Sequence, residues 1–211
     1  MTRPATTEQI WLDGPAGRLE AMLDTPAKPA GVAVVCHPHP EGGGTMHNKV
    51  VHTLARAFVR SGFTTLRFNF RGTGASAGSY DGGDGEVADA LAALTFMRGQ
   101  RPQSTAWLAG FSFGAAIAIR AAIREPVDGL ISVAPAVRRF ASGLAVQPQC
   151  PWLIVQGDAD ELVDAEETIS WVNALEPGPE LLVLEGVDHF FHGRLNELRS
   201  AAADFIERAG E

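Results

Sequence analysis

The segment Gly110-Phe111-Ser112-Phe113-Gly114 constrains what this chain can fold into more than any other stretch. Mostly apolar residues precede it and a segment rich in alanine and isoleucine follows it, which predicts a buried strand, a tight turn and a helix. Glycines two positions on either side of Ser112 leave room for a turn too tight for larger side chains. A serine exposed there, beside the N–H groups of a helix start, is placed to act as a nucleophile. The alternative is a strand-to-helix turn whose serine is incidental.

Strand-like and helix-like segments alternate along the rest of the chain. Strand-like runs occupy residues 32–36, 64–70, 105–109, 129–134, 152–156 and 181–184. Two earlier runs, residues 10–13 and 18–24, flank a Gly-Pro-Ala-Gly turn and predict an antiparallel N-terminal hairpin. The alternation predicts an α/β fold, with a doubly wound, mostly parallel sheet and helices on both faces. No linker or insertion is long enough for a separate lid, so residues 1–211 are expected to form a single domain without a lid domain.

Composition narrows the classes of partner. The chain has 25 acidic and 17 basic residues, a net charge of −8, and no basic cluster stands out, so no nucleic-acid partner is expected. No run approaches the ~18 apolar residues that a membrane span needs. The N-terminal segment lacks the apolar region of a signal peptide, and two cysteines are too few for a disulfide framework. We therefore expect a cytoplasmic protein with reduced thiols, and the sequence leaves its oligomeric state open.

A serine hydroxyl needs a general base, and the base needs an acid that orients it. The acid is expected just after a late strand, where the chain reads Gly157-Asp158-Ala159-Asp160. Asp160 is the predicted acid, because the loop first leaves the strand through Gly157 and then turns back. Asp158 is its rival, interpreted as a turn residue that binds its own backbone. Asp164 is interpreted as a helix cap, since a glutamate follows three residues later.

The base is expected after the last strand, in the segment Asp188-His189-Phe190-Phe191-His192. His189 comes first after the preceding glycine turn and is the predicted base. His192 is the rival, with local pairing in the loop as its leading interpretation and substrate binding as the other. Asp188 is interpreted as a turn residue.

An oxyanion formed at Ser112 requires two N–H donors. Phe113, the residue after the nucleophile, is one predicted donor. The other is expected in the loop after the strand at residues 32–36, which reads His37-Pro38-His39-Pro40-Glu41-Gly42-Gly43-Gly44. Proline has no N–H, and two prolines with fixed φ flank His39, so His39 is the predicted second donor. The glycine run at residues 42–44 is the alternative.

Two further groups of residues invite a functional interpretation. Arg71 follows a strand and either binds a substrate carboxylate or braces neighbouring loops. Cys36, His37, His39 and His47 raise the question of a metal. Because Cys36 and His37 are adjacent on a strand, their side chains point to opposite faces, and no carboxylate cluster joins them. We expect no metal site and no cofactor.

Several of these stretches together resemble the α/β-hydrolase superfamily, and above all the small lidless bacterial hydrolases grouped near dienelactone hydrolase. The resemblance rests on residues 37–50 (HPHP…GGTM…NKV), 67–72 and 110–114, with Asp160 and residues 188–191 at matching places. It covers nearly the whole chain and implies the α/β-hydrolase fold. Dienelactone hydrolase itself uses a cysteine nucleophile where this chain has Ser112, so its lactone substrate is not carried over.

The function expected from the sequence is a serine hydrolase of small ester or thioester substrates that works through an acyl-enzyme. Ser112, His189 and Asp160 are the expected nucleophile, base and orienting acid, and a small-molecule acyl compound is the expected substrate. Three alternatives remain at this point: a small acyl-peptide hydrolase, a non-catalytic ligand-binding module on the same scaffold, and a metal-dependent hydrolase.

Overall fold

The computed structural model describes residues 5–141 and 146–210. Its strands are β1 (Thr6–Gly14), β2 (Gly17–Thr25), β3 (Gly31–Cys36), β4 (Phe63–Phe68), β5 (Thr105–Phe111), β6 (Gly129–Val133), β7 (Trp152–Gly157) and β8 (Glu180–Leu184). Its helices are α1 (Lys49–Arg60), α2 (Asp84–Gln100), α3 (Phe113–Arg124), α4 (Val137–Phe140), α5 (Ala165–Asn173) and α6 (Leu195–Ala209). The predicted alternation of strands and helices is therefore confirmed.

The strands form one sheet in the order β1-β2-β4-β3-β5-β6-β7-β8. β1 and β2 form the predicted antiparallel hairpin, and β2 also pairs antiparallel with β4. The remaining neighbours pair in parallel, from β4 through β8, so the prediction of a mostly parallel sheet is confirmed. Because parallel strands end at one edge of the sheet, the loops after β3, β5, β6, β7 and β8 meet there.

Helices cover both faces of the sheet, as predicted for a doubly wound fold. α2, α3 and α5 pack on one face and α1 and α6 on the other, each face with its own apolar cluster. β3 is buried along its whole length and β5 from its second residue onward, which explains why these two strands read as nearly continuous apolar runs. None of the described helices is long and apolar enough to cross a bilayer.

The sequence predicts Asp84 as the cap of the helix that follows the glycine-rich loop after β4, and this local prediction is wrong. Asp84 is the first residue of α2 rather than its cap; Gly83, at φ 108°, precedes the helix, and its N–H donates to Glu86 Oε2 at 2.7 Å. A glycine adopts this positive φ without strain, so the helix starts one residue earlier than a cap at Asp84 would place it. The stretch after β6, predicted as irregular or weakly helical, contains the single-turn helix α4, and part of it, residues 142–145, lies outside the described residues.

Candidate active site

Ser112 lies on a strained turn between β5 and α3. Its φ of 56° and ψ of −116° are unusual for a residue with a side chain. The surrounding backbone holds it there: the N–H of Ser112 donates to the Val133 carbonyl at 2.8 Å, and its own carbonyl accepts from Ala115 and Ala116 at 3.1 and 3.2 Å. The predicted strand-turn-helix arrangement is confirmed, and its turn presents the serine at the edge where the strand loops meet.

The two glycines of the motif are required by close backbone contacts. A Cβ at Gly110 would overlap the carbonyl of Gly114, so a larger residue would prevent the turn from closing. A Cβ at Gly114 would overlap the carbonyls of Cys36 and His37 at the end of β3. The second glycine therefore lets α3 approach the loop after β3, which brings Phe113 close to that loop.

His189 and Asp160 form a buried pair. His189 Nδ1 lies 2.7 Å from Asp160 Oδ2, and their side chains are 3% and 0% exposed. The imidazole also packs against the ring of Phe111, with centroids 4.8 Å apart. The loops after β7 and β8 thus bring together two residues that are 29 positions apart in the sequence. In a neutral His189 ring with its proton on Nδ1, that nitrogen donates to Asp160 and Nε2 is able to accept a proton.

Hydrogen bonds hold the carboxylate of Asp160 in a fixed orientation. Oδ1 accepts from the N–H groups of Leu162 at 2.9 Å and Val163 at 2.7 Å, while Oδ2 faces His189 and also accepts from Gln156 Nε2 at 3.1 Å. Burial acts to raise the pKa of Asp160, but the bond from His189 and those from Val163 and Leu162 outweigh it, so the pKa lies below its usual value. Asp160 therefore remains ionised and keeps Nδ1 of His189 protonated.

The rival residues have other partners. Asp158 is exposed and accepts from the N–H of Gly186 at 2.6 Å, which ties together the loops after β7 and β8. Asp158 does lie in a turn, as interpreted, but among the described residues its bond is to Gly186 and not to its own backbone. Asp164 caps α5 as predicted, accepting from the N–H of Glu167 at 3.0 Å. The exposed His192 ring pairs with Asp188 Oδ2 at 2.7 Å, which is the local pairing expected for it.

A cavity of about 610 Å³ lies over the Ser112 turn. Ser112, Phe113, His39 and His189 line it, so four of the predicted site residues meet in one place. Glu41, Gly42, Asp164 and Glu167, for which the sequence suggested other roles or none, also line it. Its remaining walls are residues that the sequence did not single out: Ala136, Val137, Arg138, Arg139, Phe140, Leu162, Val163 and Thr168. Within the described residues, no hydrogen bond joins Ser112 and His189. In enzyme structures without substrate, such catalytic hydrogen bonds are often long and tighten only when substrate binds.

The backbone beside Ser112 favours Phe113 and His39 over the glycine run as oxyanion donors. Phe113 is the first residue of α3, so its N–H has no acceptor inside the helix. The glycine run is engaged elsewhere: the N–H groups of Gly42 and Gly44 donate to the His39 carbonyl, and that of Gly43 to Pro40. The His39 ring packs on that of Phe113, with centroids 5.0 Å apart. The two residues predicted to supply the donors therefore both line the cavity, with their side chains in contact.

Arg71 lies apart from the cavity lining and forms a two-point ion pair with the buried Asp89. Its Nε and Nη2 lie 3.0 and 2.7 Å from the two carboxylate oxygens. The backbone N–H of Arg71 donates to the same carboxylate at 3.0 Å. This arrangement fastens the loop after β4 to α2, so the bracing interpretation fits the structure and the substrate-carboxylate interpretation does not.

His37 is a fully buried histidine whose two ring nitrogens are both engaged. Nδ1 lies 2.6 Å from the Pro38 carbonyl, and Nε2 accepts from the N–H of Phe70 at 3.0 Å. These contacts require a neutral ring with its proton on Nδ1. Burial lowers the pKa of His37 to about 4; the bond to Pro38 opposes this shift and the charge of His39 adds to it. Across the described residues, no group of three or more potential metal ligands comes together.

Because His37 is buried as a neutral ring, we predict that the stability of the folded protein depends on pH. Its pKa in the folded protein is lowered to about 4, so between roughly pH 6.5 and 4 the unfolded chain binds the extra proton and stability falls with falling pH. A shift of this size corresponds to roughly 3 kcal/mol. Urea unfolding of the wild type and of His37→Gln at pH 7 and pH 4 should show a smaller loss in the variant. Equal losses would contradict the assignment.

Comparisons with known proteins agree with this fold. The family model described as "Serine aminopeptidase, S33" matches residues 27–142, more than half of the chain. The chain belongs to this family of α/β-hydrolases. A lidless α/β serine hydrolase from Xanthomonas campestris is 44% identical, covering 99% of this chain and 97% of its own, with a TM-score of 0.92. An α/β serine hydrolase homologue from Coxiella burnetii is 48% identical, covering 93% and 96%, with a TM-score of 0.88.

More distant similarity agrees with the family assignment. An uncharacterized protein of Rickettsia prowazekii is 38% identical over 94% of this chain and 88% of its own length. A dienelactone hydrolase from Anabaena variabilis, at 15% identity and a TM-score of 0.79 over 98% and 99% of the two chains, shares the fold alone. The resemblance to lidless hydrolases is confirmed, and the protein is a serine hydrolase by family.

Proposed function

We propose that this hydrolase cleaves small esters or thioesters through an acyl-enzyme. Ser112 Oγ bonds to the acyl carbon while His189 Nε2 takes its proton, and the carbonyl electron pair moves onto oxygen as an oxyanion. When the oxyanion collapses, the bond to the alcohol or thiol breaks and His189 gives that group its proton. Water then repeats the sequence with His189 as base, releasing the carboxylic acid and free Ser112.

The observation that carries the proposal is the buried His189–Asp160 pair, whose imidazole opens onto the same cavity as the strained Ser112. Since Asp160 holds the proton on Nδ1, Nε2 is free to accept a proton from the serine. The N–H groups of Phe113 and His39 are the proposed oxyanion donors. The proposed chemistry uses only side chains and backbone amides and therefore needs neither a metal nor a cofactor.

The cavity wall supports a small acyl substrate. Its volume of about 610 Å³ falls in the range of ordinary small-molecule sites. Val137, Phe140, Leu162 and Val163 supply apolar wall on the side of the loops after β6 and β7, where an acyl chain is removed from water. Arg138 and Arg139 lie on the same wall and add polar character to it.

The family description also includes peptide hydrolysis, so amide substrates are the second candidate. The two candidates are separated by comparing p-nitrophenyl esters of increasing chain length, an acyl thioester and aminoacyl p-nitroanilides on purified protein. Turnover of the ester and thioester well above that of the anilides supports the first proposal, and the reverse order supports the peptide alternative.

Ser112 is expected to be the single covalent site. A fluorophosphonate, which forms a bond to an activated serine oxygen, should add one label per chain, as measured by intact mass. Digestion and peptide mass spectrometry should locate that label on Ser112, because among the serines of the described residues it alone combines a strained turn with a neighbouring base.

The matched control for this experiment is a second serine variant. Ser112→Ala should remove the label, whereas Ser79→Ala, at an exposed serine outside this cavity, should retain it. A label that persists in Ser112→Ala would overturn the nucleophile assignment. A wild-type protein that neither reacts with the probe nor hydrolyses any ester, thioester or anilide would favour the non-catalytic binding module.

A further inference from the structure

The peptide group that joins Pro38 to His39 is held in place by a hydrogen bond from a buried side chain to its carbonyl oxygen. His37 Nδ1 lies 2.6 Å from the Pro38 oxygen and is the donor in that contact. A trans peptide directs its carbonyl and its N–H to opposite sides. With the Pro38 carbonyl directed to the buried ring of His37, the N–H of His39 is directed away from it, on the side of the cavity that His39 lines.

The His37 ring is itself fixed at its other end. Its Nε2 accepts the N–H of Phe70 at 3.0 Å, and its plane packs on the Phe70 ring with centroids 4.7 Å apart. The ring is completely buried, so it has no alternative water partners. The imidazole therefore bridges the loop after β4 to the loop after β3.

The same carbonyl is confined on a further side by Gly44. A Cβ at Gly44 would overlap both Pro38 and His39 backbone atoms, so the chain passes directly against this peptide. The Gly44 N–H also donates to the His39 carbonyl at 3.0 Å. With Pro38 and Pro40 fixing φ on both sides, few backbone rotations remain by which the His39 N–H can turn.

We propose that His37 is a positioning residue for the oxyanion site, aiming and polarising the His39 N–H through its bond to the Pro38 carbonyl. A carbonyl that accepts a short hydrogen bond makes the N–H of the same peptide a stronger donor, because bonds in a chain polarise one another. The inference rests on the proposed function, since it requires an oxyanion to form at Ser112. His37 itself does not line the cavity and touches no reacting atom.

Two substitutions separate the two bonds of the His37 ring. His37→Asn places an amide nitrogen near the position of Nδ1 and retains a donor to Pro38, but loses the acceptor for Phe70. His37→Gln places an amide oxygen near the position of Nε2 and retains the acceptor for Phe70, but loses the donor to Pro38. His52→Gln, at an exposed histidine of α1 outside the cavity, is the control for the type of substitution.

We expect His37→Gln to lower kcat on a p-nitrophenyl ester roughly ten- to a hundredfold more than His37→Asn, with KM little changed. This is less than the ~100- to 1,000-fold cost of removing an oxyanion donor outright, because the donor is misaligned rather than lost. A trifluoromethyl ketone, which forms a hemiketal oxyanion on the serine, should lose affinity in the same proportion. Thermal unfolding should show both variants folded, and His52→Gln should match the wild type in all assays.

Equal losses of kcat in the Asn and Gln variants, or a loss confined to KM, would overturn the positioning role and leave the proposed function standing. Failure of the wild type to hydrolyse any substrate or to react at Ser112 would instead overturn the proposed function. If a variant does not fold, the inference can still be tested on the wild type by nitrogen NMR of histidine-labelled protein at pH 7. The spectrum should show His37 protonated on Nδ1 and unprotonated on Nε2, and the opposite tautomer would contradict the inference.

Discussion

Replacing His189 by alanine should lower turnover by roughly a thousandfold or more, because nucleophile, base and orienting acid act as a unit. The variant has no group to take the proton of Ser112, and the serine hydroxyl alone is a weak nucleophile. The initial rate on the best ester found for the wild type measures the effect. The rate of fluorophosphonate labelling at Ser112 should fall as well, since labelling needs the same activated oxygen.

His192→Ala is the matched control for this prediction. His192 lies three residues further along the same loop, is exposed and pairs only with Asp188 among the described residues. Its removal should leave the rate within a few-fold of the wild type. A dead His192→Ala together with an active His189→Ala would mean that the base has been assigned to the wrong histidine, although the family assignment would stand.

Much of this site was predictable because the residues that the chemistry requires lie in loops after strands, where the fold brings them together. The motif around Ser112 predicts a strand, a turn and a helix, and the parallel sheet predicts that later loops meet beside that turn. Asp160 and His189 could therefore be chosen by their places after β7 and β8. Asp164 could be assigned to a helix cap because its partner lies three residues away, within the range of a local pattern.

The residues that the sequence did not predict depend on contacts between distant segments. Asp158 and Gly186, which are joined by a hydrogen bond, are 28 positions apart in the sequence, and no local pattern in either loop predicts this bond. The partner of Arg71 is Asp89, on the helix that follows, and the pattern of α2 gives no sign that this carboxylate is buried. For His37 the sequence alone suggests only the role of a metal ligand, because its two hydrogen bonds form only when the loops after β3 and β4 are adjacent.

Gln156 illustrates a signal that was present in the sequence but not used. It is the single amide in the otherwise apolar β7, and such a polar residue in a buried strand requires a partner. In the fold, its Nε2 donates to Asp160 Oδ2 at 3.1 Å and to the Gly157 carbonyl at 3.0 Å. Its position four residues before Asp160 thus supports the choice of that aspartate over Asp158.

Asp160→Asn should reduce turnover by roughly ten-thousandfold, the loss found when an orienting aspartate is replaced by its amide. The N–H groups of Leu162 and Val163 both donate to Oδ1, so the amide oxygen of the variant must occupy that position. The amide NH₂ then takes the place of Oδ2 and faces His189 Nδ1 as a donor. The imidazole must accept there, which moves its proton to Nε2 and leaves no lone pair for Ser112.

The surroundings of Asp160 make this change a test of chemistry rather than of folding. Gln156 Oε1 has no hydrogen-bond partner among the described residues, so a rotation of that amide offers an acceptor to the new NH₂ group, with the loss of the bond from Gln156 Nε2 to the Gly157 carbonyl. Asp158→Asn is the control, because its amide oxygen still accepts the N–H of Gly186, and the rate should change little. Thermal unfolding and ester turnover of both variants decide the assignment. An Asp158→Asn variant more impaired than Asp160→Asn would show that the acid orienting His189 is not the aspartate that contacts it at 2.7 Å.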